Sequence, residues 1–449
     1  MSTAVVVGGG IAGILSSILL KRKFEDVYII EKNNQIGGLL KSFRNNEGIE
    51  FDCGTHFLRD TGHTELDALL FKEKLMDDWL VLDYLKVGNF FGGKLNDHSP
   101  FVDSTCLSEE LYQKGMMELL SLGSLKTDYK NVEDQFYNLY GVIFTNYIFK
   151  PALQKFFGQE LHEIVPNAHS LFIPSRLLGF NPETTRELKK SPVFDSKLGF
   201  HSYKDGLSNC KNYYPKCRGI GLWIENLTET LHENGVKIIA GSSVKQIKGS
   251  NQCIDSVVLD NGTQLNCNQL VWTVPPFLFI KACGLMSPIQ FSPPARIFSG
   301  LHHFVFDKPF LTDLYYLSCY DPDFISFRVT LYPNVQQPKK SQGKYHLTVE
   351  VLSQGVPDLE RDSQTVFYEL QKMKIITNTS KVLARDSEVV SGGFPIPTQK
   401  FVKGSQAQLE LAKKQFNNSL FLGKNTGNSW FLNEVLVDTY HSITELLGA

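Results

Sequence analysis

The chain has 449 residues, of which 42% are hydrophobic and 20% charged, and its formal net charge at pH 7 is −2. This composition is typical of a globular protein and excludes a disordered chain. The near-neutral charge and the absence of a Lys/Arg block argue against a nucleic-acid-binding protein, and the length allows about three average domains or one large two-lobed enzyme.

The N-terminal segment and the cysteines bear on the cell compartment. The opening MSTAVVVGGG has no basic region before its apolar run, so we do not expect a secretory signal, and no apolar segment is long enough to predict a membrane span. The eight cysteines form no C-x-x-C pair and no zinc-type cluster, so we predict no metal site. Scattered thiols without a signal predict a reducing, cytoplasmic location.

The first predicted elements form a β-α-β unit. The β-branched run 4–7 leads into Gly8-Gly9-Gly10-Ile11-Ala12-Gly13, which matches G-x-G-x-x-G, and apolar residues at helical spacing follow. In this motif Gly8 permits a tight turn, Gly10 lets a pyrophosphate approach the backbone, and Gly13 lets the helix pack closely on the strand. The N–H groups and dipole at the helix N-terminus favour bound phosphate, so we predict a dinucleotide site.

A second predicted strand, 27–30, ends at Glu31. A carboxylate there is placed to accept hydrogen bonds from both ribose hydroxyls of an adenosine, and its charge would repel the 2′-phosphate of NADP. NAD and FAD remain open at this point.

The next segments resemble a known superfamily. The chain reads E-K-x-x-x-I-G-G from Glu31 to Gly38, then F-D-x-G-x-H from Phe51 to His56. This resembles the start of the flavoprotein superfamily that includes monoamine oxidase, protoporphyrinogen oxidase, phytoene desaturase and UDP-galactopyranose mutase. The resemblance implies FAD as the cofactor, with Gly37 and Gly38 close to its diphosphate and ribityl chain.

Two lobes, each assembled from separated segments, are predicted from the remaining elements. We expect mostly helices over 65–188, including an apolar face from Val132 to Ile143, and Pro151 either falls in the first turn of a new helix or breaks the preceding one. A helix after Gly219 ends at Gly235, short strands follow with an Asn261-Gly262 turn, and the region 287–390 is rich in predicted strands.

The predicted fold class is therefore α/β: a Rossmann-like FAD-binding domain with a second substrate lobe of helices plus antiparallel sheet. The predicted FAD-binding domain comprises residues 1–64, 197–286 and 395–449, and the substrate or cap domain comprises residues 65–196 and 287–394.

The resemblance also implies the remaining cofactor contacts. In the superfamily a valine at the place of Val244 meets the adenine through its backbone, and the last strand, ending at Gly423, and the last helix close over the flavin. The residues that we assign to FAD are Gly8, Gly10, Ile11, Ala12, Gly13, Glu31, Lys32, Gly37, Gly38, Leu39, Val244, Gly423, Asn433, Glu434 and Val435.

Three residues are candidates for the chemistry. His56 occupies the place of a histidine that lies beside the flavin in the mutase branch, where it would tune the ring or move protons near neutral pH, and the alternative is a loop histidine bonded to backbone. Arg176 and Arg328 resemble arginines that grip a nucleotide-sugar diphosphate, and the alternative for each is a surface ion pair.

Departures from the superfamily patterns keep the function open. Lys424 follows Gly423 where the mutase branch has arginine, and Leu39 stands where amine oxidases often have arginine. A set of aromatic residues could form a cage around an amine or flavin, but their spacing is typical of core residues: Tyr213, Tyr214, Trp223, Trp272 and Phe277.

We expect FAD-dependent oxidation of a small or medium organic substrate. The alternatives are a mutase-like isomerase acting on an anionic nucleotide sugar and a flavin-bearing scaffold protein without turnover. No oligomeric state is predicted.

Overall fold

The structure, a computed structural model, describes residues 2–71, 77–123, 128–206, 209–286, 295–336, 343–390, 394–427 and 429–448. A five-stranded parallel sheet contains the first two strands of the chain. Its strands, in spatial order, are β12 (Lys237–Ala240), β2 (Asp26–Glu31), β1 (Thr3–Val7), β16 (Gln269–Trp272) and β23 (Ser419–Phe421).

Both faces of this sheet are covered, which is why its strands read as nearly continuous apolar runs. One face packs against α1 (Ile11–Leu20), α8 (Gly221–Glu233) and α13 (Leu432–Leu447). The other face packs against α9 (Pro276–Ala282), α12 (Gln399–Lys413) and a three-stranded antiparallel sheet. That small sheet contains β13 (Val244–Ser250), β14 (Cys253–Leu259) and β15 (Gln264–Asn266).

A second, larger sheet contains both parallel and antiparallel pairs. In spatial order it contains β21 (Val382–Val389), β17 (Arg296–Phe306), β20 (Tyr345–Ser353), β19 (Ser326–Leu331), β18 (Tyr316–Cys319), β7 (Val87–Phe91) and β8 (Lys94–Asn96), with β22 (Phe394–Pro395) paired to β17. All pairs are antiparallel except β7 with β18.

The two faces of the larger sheet differ in polarity. Leu347, Val349 and Val351 of β20 belong to an apolar cluster completed by Val366 and Leu370 of α11 (Leu359–Lys372). Because side chains alternate along a strand, the opposite face carries Thr348 and Glu350. This polar face lies against the segment 51–60.

Helices and short strands complete the described chain. The helices are α2 (Thr64–Leu70), α3 (Glu109–Ser121), α4 (Val132–Phe144), a π-helix (Thr145–Phe149), α5 (Lys150–Phe157), α6 (Pro182–Leu188), α7 (Pro192–Asp195) and α10 (Tyr332–Gln336). The short strands pair as β3 (Ser42–Arg44) with β4 (Glu50–Asp52), β9 (Val102–Asp103) with β10 (Leu177–Leu178), and β11 (Asn212–Pro215) with both β5 (Leu58–Arg59) and β6 (Trp79–Leu82).

The predicted fold class is confirmed, and one regional prediction is wrong. Residues 79–103, expected to be mostly helical, contain strands β6 to β9. Gly92 and Gly93 form the turn between β7 and β8, and both have positive φ, 58° and 71°, as a tight hairpin requires. The helix predicted to end at Gly235 does so, with Gly235 at φ 69°. Among the described helices, none has the length and apolar character to cross a membrane.

Candidate functional site

The turn between β1 and α1 shows why its glycines are needed. Gly8 has φ 106°, and a Cβ atom there would lie 2.3 Å from Thr273 Oγ1. A Cβ on Gly13 would lie 1.9 Å from the carbonyl oxygen of Gly8, so α1 packs directly on the turn. A Cβ on Gly10, in contrast, would meet nothing within 4 Å. There is therefore open space beside the helix N-terminus at Gly10, where a phosphate could approach.

The second glycine pair crosses beside the first. Gly37 donates its N–H to the carbonyl oxygen of Gly9 at 2.7 Å, and a Cβ on Gly38 would lie 3.5 Å from Gly10 Cα. Both glycines have positive φ, 115° and 62°, which side-chain-bearing residues rarely adopt. The two glycine segments, 8–13 and 37–38, thus form one surface that is lined by backbone atoms.

Glu31 lies at the end of β2, where it organises the adjacent turns. Its carboxylate accepts hydrogen bonds from the N–H of Gly9 at 2.7 Å and of Asn33 at 2.8 Å. Its own carbonyl oxygen accepts from the N–H of Ser242 at 3.0 Å, which brings the segment before Val244 to the same edge. A carboxylate has about four lone-pair sites, so Glu31 retains acceptors for ribose hydroxyls.

The last strand and helix approach the same edge of the parallel sheet. Gly423 has φ 82°, and a Cβ there would lie 3.4 Å from Ala12 Cβ. Glu434 caps α13 by accepting from the N–H groups of Trp430 at 2.8 Å and Phe431 at 3.0 Å. Val435 is 3% exposed and packs in the core, so only its backbone can face a ligand. Asn433 donates its side-chain Nδ2–H to the carbonyl oxygens of Arg59 and Asp60.

The segment 51–60, the FDCGTHFLRD stretch, forms a turn between these groups and the larger sheet. Gly54 has φ 108°, and the His56 ring folds back so that Nε2 lies 3.3 Å from the carbonyl oxygen of Cys53. The backbone contact named as the alternative for His56 is therefore present. Thr55 donates its N–H and its hydroxyl to Oε1 of Glu350, at 3.0 and 3.1 Å.

Arg328 lies on the polar face of the larger sheet, next to Glu350. Its Nη1 is 3.9 Å from Glu350 Oε1, and its guanidinium lies 4.6 Å from the ring centroid of Phe327. Its Nε is buried and has no hydrogen-bond partner among the described residues. Arg328 thus has an unused donor and a carboxylate that is too distant for a direct hydrogen bond, which leaves it able to bind an anion.

Arg176 has a different environment. Its Nε donates to the carbonyl oxygen of Asp195 at 2.8 Å, and its Nη2 pairs with the Asp195 carboxylate at 3.2 Å. Lys189 contacts the same carboxylate at 2.6 Å. The ion-pair alternative named for this arginine is therefore present, and an anionic ligand would have to compete with Asp195.

The electrostatic surroundings keep His56 neutral. Burial, together with the nearby charges of Arg328 and Lys424, lowers the pKa of His56 to about 4, although Glu350 and the Cys53 carbonyl oppose this shift. At pH 7 the imidazole is consequently uncharged. It can donate or accept a hydrogen bond and can accept a proton as a general base, but it does not carry the extra proton of an imidazolium acid.

Glu350 was missed in the sequence, although a signal for it exists. It is the charged residue in the apolar strand 345–353, at a position two residues from Thr348. A buried charge normally has partners or a function, so such a residue merits attention even without a motif.

The aromatic residues considered for a cage lie in the hydrophobic core. The members buried in the packed clusters are Tyr213, Tyr214, Trp223 and Trp272, as expected for core residues.

A cavity of about 770 Å³ lies along α8, and its lining includes Ile36, Leu40, Arg218, Ile224 and Ile238. Two of these residues also meet the glycine segments, since a Cβ on Gly9 would lie 2.6 Å from Ile36 and a Cβ on Gly37 would lie 2.8 Å from Ile224. The cavity therefore borders the surface formed by the two glycine segments.

Comparisons with known proteins agree with this geometry. Residues 6–72 match the family of NAD(P)-binding Rossmann-like domains. A crystal structure of reduced UDP-galactopyranose mutase superimposes with a TM-score of 0.77 at 14% identity, covering 100% of this chain and 94% of that one. That of a putative protoporphyrinogen oxidase from Exiguobacterium sp. 255-15 gives a TM-score of 0.70 at 15% identity, covering 100% and 99%.

Among sequence relatives, the inactive all-trans-retinol 13,14-reductase of Danio rerio is 39% identical over 54 residues. The match covers 12% of this chain and spans only 9% of the length of that relative. At these identities the two solved structures show the fold alone, and the chain shares that fold over its whole length.

Proposed function

We propose that the chain is an FAD-dependent oxidoreductase that acts on a small or medium organic substrate. The observation that carries the proposal is the open space at Gly10, bordered by the backbone of Gly38 and facing the N-terminus of α1. The N–H groups and the dipole of α1 suit a diphosphate there. Glu31 suits the ribose of an adenosine, and its carboxylate opposes a 2′-phosphate.

The remaining cofactor contacts follow from what lies around that space. Lys32 and Leu39 are exposed next to Glu31 and Gly38, and Val244 lies near the adenosine end through the contact of Ser242 with Glu31. The proposed set of FAD-binding residues is unchanged: Gly8, Gly10, Ile11, Ala12, Gly13, Glu31, Lys32, Gly37, Gly38, Leu39, Val244, Gly423, Asn433, Glu434 and Val435.

FAD, when bound, supplies a ring that accepts a hydride from a substrate. The free N–H groups at the start of α13 and the ammonium of Lys424 would stabilise negative charge at that ring. His56, being neutral, would contribute a hydrogen bond rather than a charge. Arg328 would orient an anionic group of the substrate, and Arg176 would join it only by leaving Asp195.

A flavin-dependent isomerase of a nucleotide sugar is the second candidate. The observation that favours it is the Nε of Arg328, which has no hydrogen-bond partner among the described residues, together with Lys424, because the charges of both cations act on His56. A neutral substrate offers no negative charge to two cations, whereas a diphosphate could form charge-assisted hydrogen bonds with both.

Reconstitution with FAD tests the cofactor, and electron counting separates the two reactions. We expect the purified full chain to bind FAD with the absorbance bands of a flavoprotein. An oxidoreductase consumes one equivalent of acceptor per turnover, whereas an isomerase requires prior reduction and consumes none. Failure to bind FAD would contradict both candidates, and FAD binding without turnover on any tested amine, acid or nucleotide sugar would support a scaffold role. The two-lobe division and the cytoplasmic location stay predictions.

A further inference from the structure

Glu350 is a buried carboxylate on β20, and it has no place in the predicted site. It is 8% exposed and lies on the polar face of the larger sheet, opposite the apolar face formed by its neighbours Val349 and Val351. A buried carboxylate is costly unless hydrogen bonds and charges compensate for the lost water. The groups that compensate it are therefore informative.

The hydrogen bonds of Glu350 go to the turn that carries His56. Thr55 supplies both its N–H and its hydroxyl to Oε1, and that hydroxyl also contacts Thr330 Oγ1. On the other side, a Cβ on Gly54 would lie 3.2 Å from Oε2. The turn is thus built around the carboxylate: Gly54 leaves room for it and Thr55 binds it.

The charge of Glu350 also bears on His56. The charged groups that act on the imidazole are Glu350, Arg328 and Lys424, together with the carbonyl oxygen of Cys53. Arg328 Nη1 is 3.9 Å from Glu350 Oε1. Without this carboxylate, the charges of Arg328 and Lys424 would act on His56 with less opposing negative charge.

We propose that Glu350 is the positioning residue of this site: its carboxylate holds the turn 53–56 and offsets the charges of Arg328 and Lys424 beside His56. It acts through Thr55 and His56 rather than on reacting atoms. Its effect on a bound flavin rests on the proposed function, whereas its effect on the turn does not.

The test compares Glu350→Gln with Asp321→Asn in the full chain. Gln keeps the size and one acceptor oxygen but removes the charge. Asp321 is a suitable control because it is also a buried carboxylate, 6% exposed, that accepts the N–H of a glycine turn, at Gly93, 3.0 Å away. Three quantities are measured: hydrogen exchange of peptides covering 53–60, the NMR titration midpoint of His56, and the midpoint potential of bound FAD.

We expect Glu350→Gln to speed exchange at Thr55 about 10-fold, the effect of losing about 1.4 kcal/mol of hydrogen bonding. The titration midpoint of His56 should move to lower pH, because the carboxylate that favours the charged imidazole is removed. The FAD potential should rise because a negative charge is removed. Asp321→Asn should change none of the three.

Each outcome bears on a separate statement. If FAD does not bind, the proposed function fails, but exchange at Thr55 and the His56 titration still test Glu350. If all variants bind FAD and Glu350→Gln matches the wild type in all three measurements, the inference is overturned. Equal changes in Asp321→Asn would also overturn it. Should Glu350→Gln not fold, Thr55→Val removes only the hydroxyl contact and should speed exchange in the same segment by a smaller factor.

Discussion

The side-chain amide of Asn433 donates a hydrogen bond to the backbone carbonyl oxygen of Asp60 across 2.9 Å, joining residues that are 373 positions apart. The same nitrogen also reaches the carbonyl oxygen of Arg59 at 3.2 Å. The start of the last helix therefore holds the segment that carries His56. The contact brings the first and last parts of the proposed FAD site together.

Replacement of Asn433 by Ala should loosen this junction. Two carbonyl oxygens would lose their donor, so we expect the free energy of unfolding to fall by about 1–2 kcal/mol. Exchange of peptides covering 53–60 should become faster, and FAD should bind about 10-fold more weakly, as measured by fluorescence titration. Asn418→Ala is the control, since Asn418 also donates to two carbonyl oxygens, of Ile254 and Asn268, away from this segment. Equal FAD affinity in both variants would contradict the assignment of Asn433.

Two glycine substitutions in α1 should have different consequences. Gly10→Ala places a methyl group in open space at φ −75°, so stability should change by no more than about 0.5 kcal/mol. That methyl would occupy the space assigned to the diphosphate, and we expect FAD binding to be lost. Gly13→Ala drives a Cβ to 1.9 Å from the Gly8 carbonyl oxygen, so folding itself should be impaired by about 3 kcal/mol or more. Normal FAD binding by a well-folded Gly10→Ala variant would refute the proposed diphosphate position.

Arg328 and Arg176 should differ in their effect on anion binding. UDP is a suitable probe for the hypothesis that these arginines bind a diphosphate, and its affinity for the FAD-loaded protein can be measured by calorimetry. Arg328→Gln should weaken UDP binding at least 30-fold, about 2 kcal/mol, because a partly buried guanidinium with a free donor is removed. Arg176→Gln should change the affinity less than about 3-fold, since Asp195 already pairs with that guanidinium. The absence of UDP binding to the wild type would count against a nucleotide-sugar substrate.

Acid should destabilise the protein through its buried histidines. Burial is the main reason why the pKa values of four histidines are lowered from the usual 6.5 to about 4: His56, His169, His302 and His346. Between these two pH values the unfolded chain binds more protons than the folded chain, so stability is lost as the pH falls from 6.5 towards 4. Each histidine contributes a slope of at most about 1.4 kcal/mol per pH unit.

Asp52 acts in the opposite direction. Burial raises its pKa to about 7 although Tyr214, Ser42 and the N–H of Ile220 donate to it, so its contribution declines as the pH rises from 3.8 to 7. Denaturant unfolding between pH 4 and 7 measures the combined effect of the histidines and Asp52 on the free energy of unfolding. In a plot of the free energy of unfolding against pH, His302→Gln should reduce the slope by the equivalent of up to one bound proton. Asp52→Asn should increase the slope. An unchanged slope in His302→Gln would show that this histidine titrates normally in the fold.

Local chemistry made much of the fold predictable. The glycine spacing from Gly8 to Gly13, the acid at Glu31 and the cap at Gly235 depend on residues within a few turns of chain, so the β-α-β unit and the helix boundaries could be read directly. The strands between 79 and 103 were not recognised, because β7 is stabilised by β18, more than 200 residues later. The FAD contacts came from resemblance to a superfamily and still await direct test.

The sequence by itself determined the type of cofactor site. A phosphate-binding turn is encoded by adjacent glycines, whose backbone angles and lack of a side chain are enough to form it. Only the tertiary structure decided how His56 is surrounded. Its neutral state depends on burial and on Arg328, Glu350 and Lys424, and the N–H of Thr55 meets Glu350 across 295 positions of sequence. The free energy of a charge depends on distances in space to other charges and to water, and those distances are set when the two sheets pack around the FDCGTHFLRD turn.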